Sequence, residues 1–422
     1  MPPTRPAYDP ISLSPLSFWA KSPAEKDLDF RVLRRERPVS WHPPVEGTML
    51  PSAQRDGFWA VTRHADVVDI SKRPKDFCSG QGVMFDQVPA EIQEAASSFL
   101  AMDAPRHTQL RKLVSSAFTP RRIAQVDAQI EREATLLVDR LIDIGDCDFV
   151  AEISRKLPQW TIFDMIGLPG ELRDAATDGA DGMVSWADED VRGGREPVEL
   201  LASSLTTLIG IALELAGARR IAPRDDLMTN LVQAEIDGQQ LTDHEIAAFF
   251  VLLSVAGNDT TRNSISTAML AFTEFPGQRQ LLRNDFGRHI GTAIEEVVRW
   301  ASPVMTFRRT ATRDLELHGQ HIREGDWVIM FYGSANRDER IFTDPGAFTI
   351  TRNPNPHVGF GGGGPHFCLG AALARTQLRS ILDELIHRVP DLEVRGPTSL
   401  VGNFMSAIKS MPCRLNLART VV

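Results

Sequence analysis

The densest chemical signal in this 422-residue chain is a glycine run that ends on a cysteine: Gly359-Phe360-Gly361-Gly362-Gly363-Gly364-Pro365-His366-Phe367-Cys368-Leu369-Gly370, with a helical pattern directly after it. Glycines ahead of a helix can cradle phosphate, but a phosphate loop needs Lys-Ser/Thr at its end. Phe367, Cys368 and Leu369 stand there instead. Two readings stay open. A lone cysteine is often a small core residue. Alternatively the sulfur is an axial haem ligand: glycines allow a close backbone approach to a flat macrocycle, loop N–H groups tune the sulfur, and the helix N-terminus favours thiolate.

Three further groups of residues could do chemistry. Ala256-Gly257-Asn258-Asp259-Thr260-Thr261 is a polar cluster inside an otherwise apolar helical stretch. Such a cluster is costly unless satisfied, so it is a bend made by Ser/Thr back-bonding, a core network, or a proton-handling acid–alcohol pair. Glu296 and Arg299, three apart, share a helix face and could be a surface ion pair of little worth. His107 and Arg111, at i and i+4, could be a solvated basic face or an anion clamp.

Taken together, these motifs resemble the cytochrome P450 family, and the resemblance runs in order along nearly the whole chain. Phe360-Gly361…Gly364-Pro365-His366-Phe367-Cys368-Leu369-Gly370 is similar to its haem loop, although Phe360 precedes the cysteine by eight positions where seven is the common spacing. The resemblance implies haem b with Cys368 as iron ligand. It implies Ala256 and Gly257 over the haem, Asp259 and Thr260 as the catalytic acid–alcohol pair, and His107, Arg111, Arg309 and His366 on the propionates, with Arg309 preferred over Arg308. Glu296-Val-Val-Arg299 is similar to the ExxR pair that locks the following meander. The position aligned with the meander arginine holds Ala347, leaving Arg337 or Arg352 as substitutes.

The implied reaction inserts one oxygen atom of O2 into an unactivated C–H bond. About 50 residues follow Cys368, too few for a flavin or iron–sulfur domain, so a ferredoxin and an NAD(P)H-dependent reductase are the expected partners. Arg106, Arg121 and Arg122 are candidates for docking them, or ordinary solvated charges. Candidate pocket residues are Met84, Phe85, Val88, Phe99, Leu100, Met183, Trp186, Leu252, Val255, Met305 and Phe404, which together suit an apolar substrate. Stretches such as Arg299-Trp-Ala-Ser-Pro-Val304 and Arg352-Asn-Pro-Asn-Pro-His357 resemble a mycobacterial subgroup acting on terminal methyl groups of methyl-branched lipids, isoprenoids and sterol side chains. A peroxygenase and a non-catalytic haem sensor or carrier are the rival readings. The intact Asp259–Thr260 pair speaks against the first, and the second would not need that pair.

The elements that must hold these residues point to a mainly α fold with small antiparallel sheets. We expect a proline-rich arm over residues 1–50, with one short helix near Pro23 to Arg37, packed on a single haem domain over 51–422. Gly57–Arg63 reads as a strand, Ala65–Lys72 as a helix, and Cys78–Leu100 as a long loop. Thr242, with Glu245 three residues on, forms a capping box that opens a helix of roughly 32 residues, buried on all sides. Thr306–Met330 alternates as strands do, and 336–357 is a long meander. Net charge is −9, with 46 Lys+Arg against 55 Asp+Glu, which argues against nucleic acid as a partner. Four scattered cysteines, none in a C-x-x-C pair, lend no support to a disulfide framework, a zinc ribbon or a ferredoxin-type cluster and suit a reducing cytoplasm. The longest apolar stretch reads as Ile246–Gly257, too short to span a bilayer.

Overall fold

A computed structural model describes residues 4–46, 56–96, 98–115, 118–236 and 238–415. Of the expected arm, 1–3 and 47–50 lie outside these, as does the end of the tail, 416–422; the Arg121 side chain is also outside the described set. Helices form the bulk of the molecule, and a five-stranded sheet stands to one side. Its strand order is Val39–His42, Phe58–Val61, Trp327–Phe331, Thr306–Ala311 and Phe77–Cys78. Trp327–Phe331 pairs parallel to Phe58–Val61 and antiparallel to Thr306–Ala311.

The N-terminal segment contributes more than one helix. Leu16–Trp19 is a short helix and Val39–His42 is a sheet strand. Helix Pro23–Glu36 starts at a capping box, in which Ser22 Oγ accepts from Glu25 N and Glu25 Oε2 accepts from Ser22 N at 2.8 Å. Its apolar side joins Leu13, Phe18, Trp19, Phe58, Phe85 and Phe331 in one cluster. Phe85 is 0% exposed there, edge-on to Trp19, Phe58 and Phe331. It is therefore a core residue rather than a pocket wall. Met305 belongs to the same cluster and is likewise buried. The stretch expected as a plain loop, 78–100, carries helix Ala90–Ala95 and leads into the turn Phe99–Ala101.

The expected 32-residue helix is two helices, Asp243–Ala256 and Asp259–Glu274. Thr242 and Glu245 form the capping box at its start, as the spacing predicts. The break at Gly257-Asn258 has a local cause. Thr260 Oγ1 donates to Ala256 O at 3.0 Å, so a hydroxyl takes the carbonyl that the backbone ladder would use. Asn258 sits at φ −94°, ψ −65°. A Cβ on Gly257 would lie 2.9 Å from Leu253 O and 3.0 Å from Ile162 Cγ1, so the close packing beside the break requires glycine.

Helix Phe286–Ala301 carries Glu296 and Arg299, both 0% exposed. This is an interior lock rather than a surface pair. Arg299 donates to Glu296 and to the carbonyls of Asn336, Pro345 and Ala347. Glu296 also accepts from Thr349 N, Arg352 Nε and Asn355 Nδ2. Arg352, at 3.1 Å from Glu296, fills the third place, while Arg337 stacks over Trp300. One further helix, Pro197–Ile221, is long and apolar enough by length and composition to cross a membrane, although half of that stretch is buried against the protein.

Candidate functional site

The glycine run is shaped by its contacts with helix His64–Ser71. A Cβ on Gly364 would lie 2.2 Å from Ser71 O, and one on Gly362 would lie 2.8 Å from Val67 O. Gly361, Gly363 and Gly364 all have positive φ, which non-glycine residues adopt only at a cost. The additional glycine is thus absorbed in a bend around Ser71. The loop then returns, and Cys368 N donates to Phe360 O at 2.9 Å. Helix Ala371–Arg388 starts three residues after the cysteine. Its Arg375 lies over the Phe360 ring at 4.4 Å and is held by Glu295, which also meets His357.

The Cys368 sulfur is free and accessible. Burial of its surroundings pushes the thiol up, opposed by the Gly370 N–H, Arg111 and Arg375. A cation such as iron would reverse that balance outright.

A second accessible surface lies on the broken helix. Most of its neighbours are buried, Gly257 only in part, but Ala256 is exposed and Leu252, Val255 and Thr260 are partly so. At i, i+3/i+4 and i+8 these form one face, apolar up to the Thr260 hydroxyl. Asp259 points the other way and is buried, where it pairs with Arg262. Arg262 Nη1 reaches Asp181 Oδ1 at 2.9 Å, and Arg155 meets Asp181 Oδ2 at 2.9 Å. Burial pushes the Asp259 carboxyl up to about 7, against the pull of Arg262. Sequence reasoning missed Arg262, Asp181 and Arg155; the i, i+3 spacing of Asp259 and Arg262 was the only available signal.

At the far end of the site, cations and imidazoles gather with no ion-paired carboxylate among the described residues. The His107 and His366 rings stand 4.3 Å apart. His107 Nε2 and His366 Nδ1 are buried with no partner, and His366 Nε2 faces Ser79 Oγ at 3.1 Å. Arg309 is buried and donates to Arg308 O at 2.8 Å. Arg111 donates to Phe367 O. Among the described residues neither arginine has an ion pair. The nearby Asp103 is committed to Ser79 N and Gly80 N. Burial and the neighbouring cations lower His366 to about 3 and lower His107 as well. Arg308, by contrast, is occupied with the carbonyls of Gly82 and Gln81 and stacks on Trp327. Two unanswered guanidinium groups and two unpartnered imidazole nitrogens fit the two carboxylates of a haem. With the free sulfur of Cys368 and the cleared face at Ala256, the residues present suit the group.

Comparison with known proteins settles the class. A family model described as Cytochrome P450 matches residues 214–390. The chain is 41% identical over 416 residues to the methyl-branched lipid omega-hydroxylase of Mycobacterium tuberculosis, covering 97% of this chain and 96% of that one. This chain belongs to the cytochrome P450 family. It is also 39% identical over 393 residues to the steroid C26-monooxygenase of the same organism, covering 90% and 87%. The structure of Mycobacterium marinum cytochrome P450 CYP268A2 in complex with pseudoionone superimposes with a TM-score of 0.95 at 53% identity, over 97% of this chain and 99% of that one. The fold is the P450 fold, the activity is that of a P450 monooxygenase, and the cofactor is a haem-thiolate.

The candidate pocket residues of this P450 divide among several clusters. Val88, Met183 and Trp186 meet beside Leu200 and Leu201. Val255 and Phe404 meet beside Val184 and Met405. Phe99 and Leu252 adjoin the main core, and Met84 and Leu100 are partly buried. A cavity of about 700 Å³ lined by Arg5, Trp41, Gln81, Arg308 and Asp326 takes only Val88 from the set; its charged walls do not suit an apolar substrate. Of the docking candidates, Arg106 is paired with Glu245 and Arg122 faces Asp225 at 3.6 Å.

Proposed function

We propose that this P450 hydroxylates a terminal methyl group on an apolar, methyl-branched chain: a branched lipid, an isoprenoid or a sterol side chain. The observation that carries the reading is the accessible face Leu252–Val255–Ala256–Thr260. It offers a chain no ionic anchor and ends at a single hydroxyl beside a buried acid. The names of the relatives, a methyl-branched lipid omega-hydroxylase and a steroid C26-monooxygenase, support the same substrate class.

Haem b held through Cys368 would supply dioxygen activation and oxygen insertion. The other roles fall to this chain's residues. His107, Arg111, Arg309 and His366 would hold the propionates. Gly361 and Gly370 would leave room for the ring and the sulfur, Phe360 would pack beside the loop under Arg375, and Gly257 would let the broken helix approach the ring by packing closely on Ile162. Thr260 donates its own hydrogen to Ala256 O, so its lone pairs are free to accept a proton or a hydrogen bond. Burial favours the protonated form of Asp259 against the pull of Arg262, and in that form it would replenish Thr260. Apolar Leu252 and Val255 exclude water from the reacting carbon. Electrons would come from a ferredoxin and its NAD(P)H-dependent reductase, in the cytoplasm. Residues 1–50 are read as an arm on this single domain.

The test is a titration of the ferric protein with branched fatty acids, isoprenoids and sterols, followed by turnover with ferredoxin and reductase. A blue shift of the Soret band and oxygen at the chain terminus are expected. No shift with any of the three classes, or oxygen placed mid-chain, would overturn the assignment.

A further inference from the structure

Cys147 and Cys413 lie outside the site described above. They face each other across the antiparallel pair formed by strands Cys147–Asp148 and Pro412–Leu415, as direct register partners. Directly opposed residues in such pairs hold their Cα atoms roughly 4.5–5.5 Å apart, within the roughly 4.4–6.8 Å that a disulfide spans. The two sulfurs are 3.6 Å apart and hydrogen-bond each other. Cys413 is buried, while Cys147 is only partly so, which leaves one sulfur open to a small oxidant.

We propose that Cys147 and Cys413 form an intramolecular disulfide when the protein meets hydrogen peroxide, the two-electron reduction product of O2 that an oxygenase releases when reduction outruns substrate oxidation. The Cys147 thiolate attacks one peroxide oxygen and the O–O bond breaks. Hydroxide leaves and is protonated to water, and Cys147 becomes a sulfenic acid. The Cys413 thiolate then attacks that sulfur, forms the S–S bond and displaces hydroxide, which becomes a second water. Two thiols and one H2O2 thus give one disulfide and two waters.

Burial raises both thiols, Cys147 to about 12, and the carboxylates of Asp146, Asp148 and Glu152 add to the effect. Thiolate is scarce, so the link accumulates under sustained oxidant. It ties the strand following helix Pro120–Ile144 to the C-terminal strand, 266 positions away. A closure of that length restricts the unfolded chain strongly.

The experiment exposes the haem-loaded protein to hydrogen peroxide, and in parallel to the thiol oxidant diamide, then alkylates it under denaturing conditions and maps peptides by mass spectrometry. The expected result is loss of alkylation at two of the four cysteines. A linked peptide pair containing 147 and 413, lighter by about 2 Da than the two thiol peptides together, should be reversed by a phosphine reductant. Oxidised wild type should also unfold at higher urea than Cys147→Ser or Cys413→Ser, with the gap closing on reduction. Full alkylation of both residues after either oxidant would overturn the proposal. So would a link to Cys78, a link between molecules, or sulfinic acid at Cys147 without a link.

Discussion

In the proposed mechanism Thr260 and Asp259 divide one proton route between them, and each half can be removed separately. Thr260 lies on the accessible face and Asp259 on the buried one. Thr260→Ala deletes the group nearest the reacting centre but nothing that holds haem or substrate. NAD(P)H consumption should continue while product per NAD(P)H falls several-fold and peroxide rises, with the substrate-induced Soret shift intact. Tight coupling in the variant would remove Thr260 from the route. Asp259→Asn keeps the shape and loses the acid, and general acid–base groups contribute roughly 10²–10⁴-fold, so kcat should fall within that range. The pH profile carries the sign. Burial raises the carboxyl to about 7, so the proton donor is present below that value. Wild-type turnover should decline as pH rises through it, and the asparagine variant should lack that limb. Linkage runs the same way: between the unfolded value near ~4 and about 7 the folded state binds the extra proton. The stability this group contributes is therefore lost as pH rises across that window.

At the scale of elements, helix Phe286–Ala301 and the meander depend on one buried carboxylate. Glu296 answers Arg299, Arg352, Asn355 and Thr349 N together. Glu296→Ala would leave the Arg299 guanidinium buried without its counter-charge, which costs about 3–5 kcal/mol. The measurement is the urea midpoint together with haem content after purification, and both should fall; an unchanged midpoint would mean the pair is dispensable. The E-x-x-R spacing was legible in the sequence because i, i+3 is a local relation. The third partner was legible only as a choice between Arg337 and Arg352, because Arg352 reaches Glu296 through a chain path with no periodicity and the aligned position, Ala347, has no polar side chain to contribute. The cysteine loop and the capping box at Thr242 were legible for the same local reason. The helix break was not, since Gly257 and Thr260 are both compatible with a continuous helix until a hydroxyl competes for Ala256 O. Phe85 was placed in the pocket because an apolar residue type cannot say which of two apolar environments it fills. Only tertiary packing sends Phe85 to Trp19 and Phe331.

For the molecule as a whole, the question raised by the proposed ferredoxin partner is how a chain of net charge −9 would receive electrons from it if that partner is acidic. At long range the two repel, so productive docking needs a local basic patch that acts at short range and is screened by salt. Arg106 is engaged with Glu245 at the start of helix Asp243–Ala256, which makes it a structural contributor first. Arg122 is better placed by its own energetics: it is 45% exposed, and its partner Asp225 is 88% exposed at 3.6 Å. An exposed pair of that kind is worth at most about 1 kcal/mol, so the Asp225 pair itself offers little resistance to an incoming carboxylate that competes for Arg122. Arg122→Ala should raise the KM for ferredoxin a few-fold and leave kcat at saturating ferredoxin, the CO-bound reduced spectrum and substrate binding unchanged. Wild-type turnover at subsaturating ferredoxin should fall as ionic strength rises, because the Debye length shrinks from roughly 30 Å at 0.01 M to about 10 Å at 0.1 M. Turnover that ignores salt, with an unaltered KM in Arg122→Ala, would place the electron entry on an apolar contact instead and remove charge pairing from this face of the molecule.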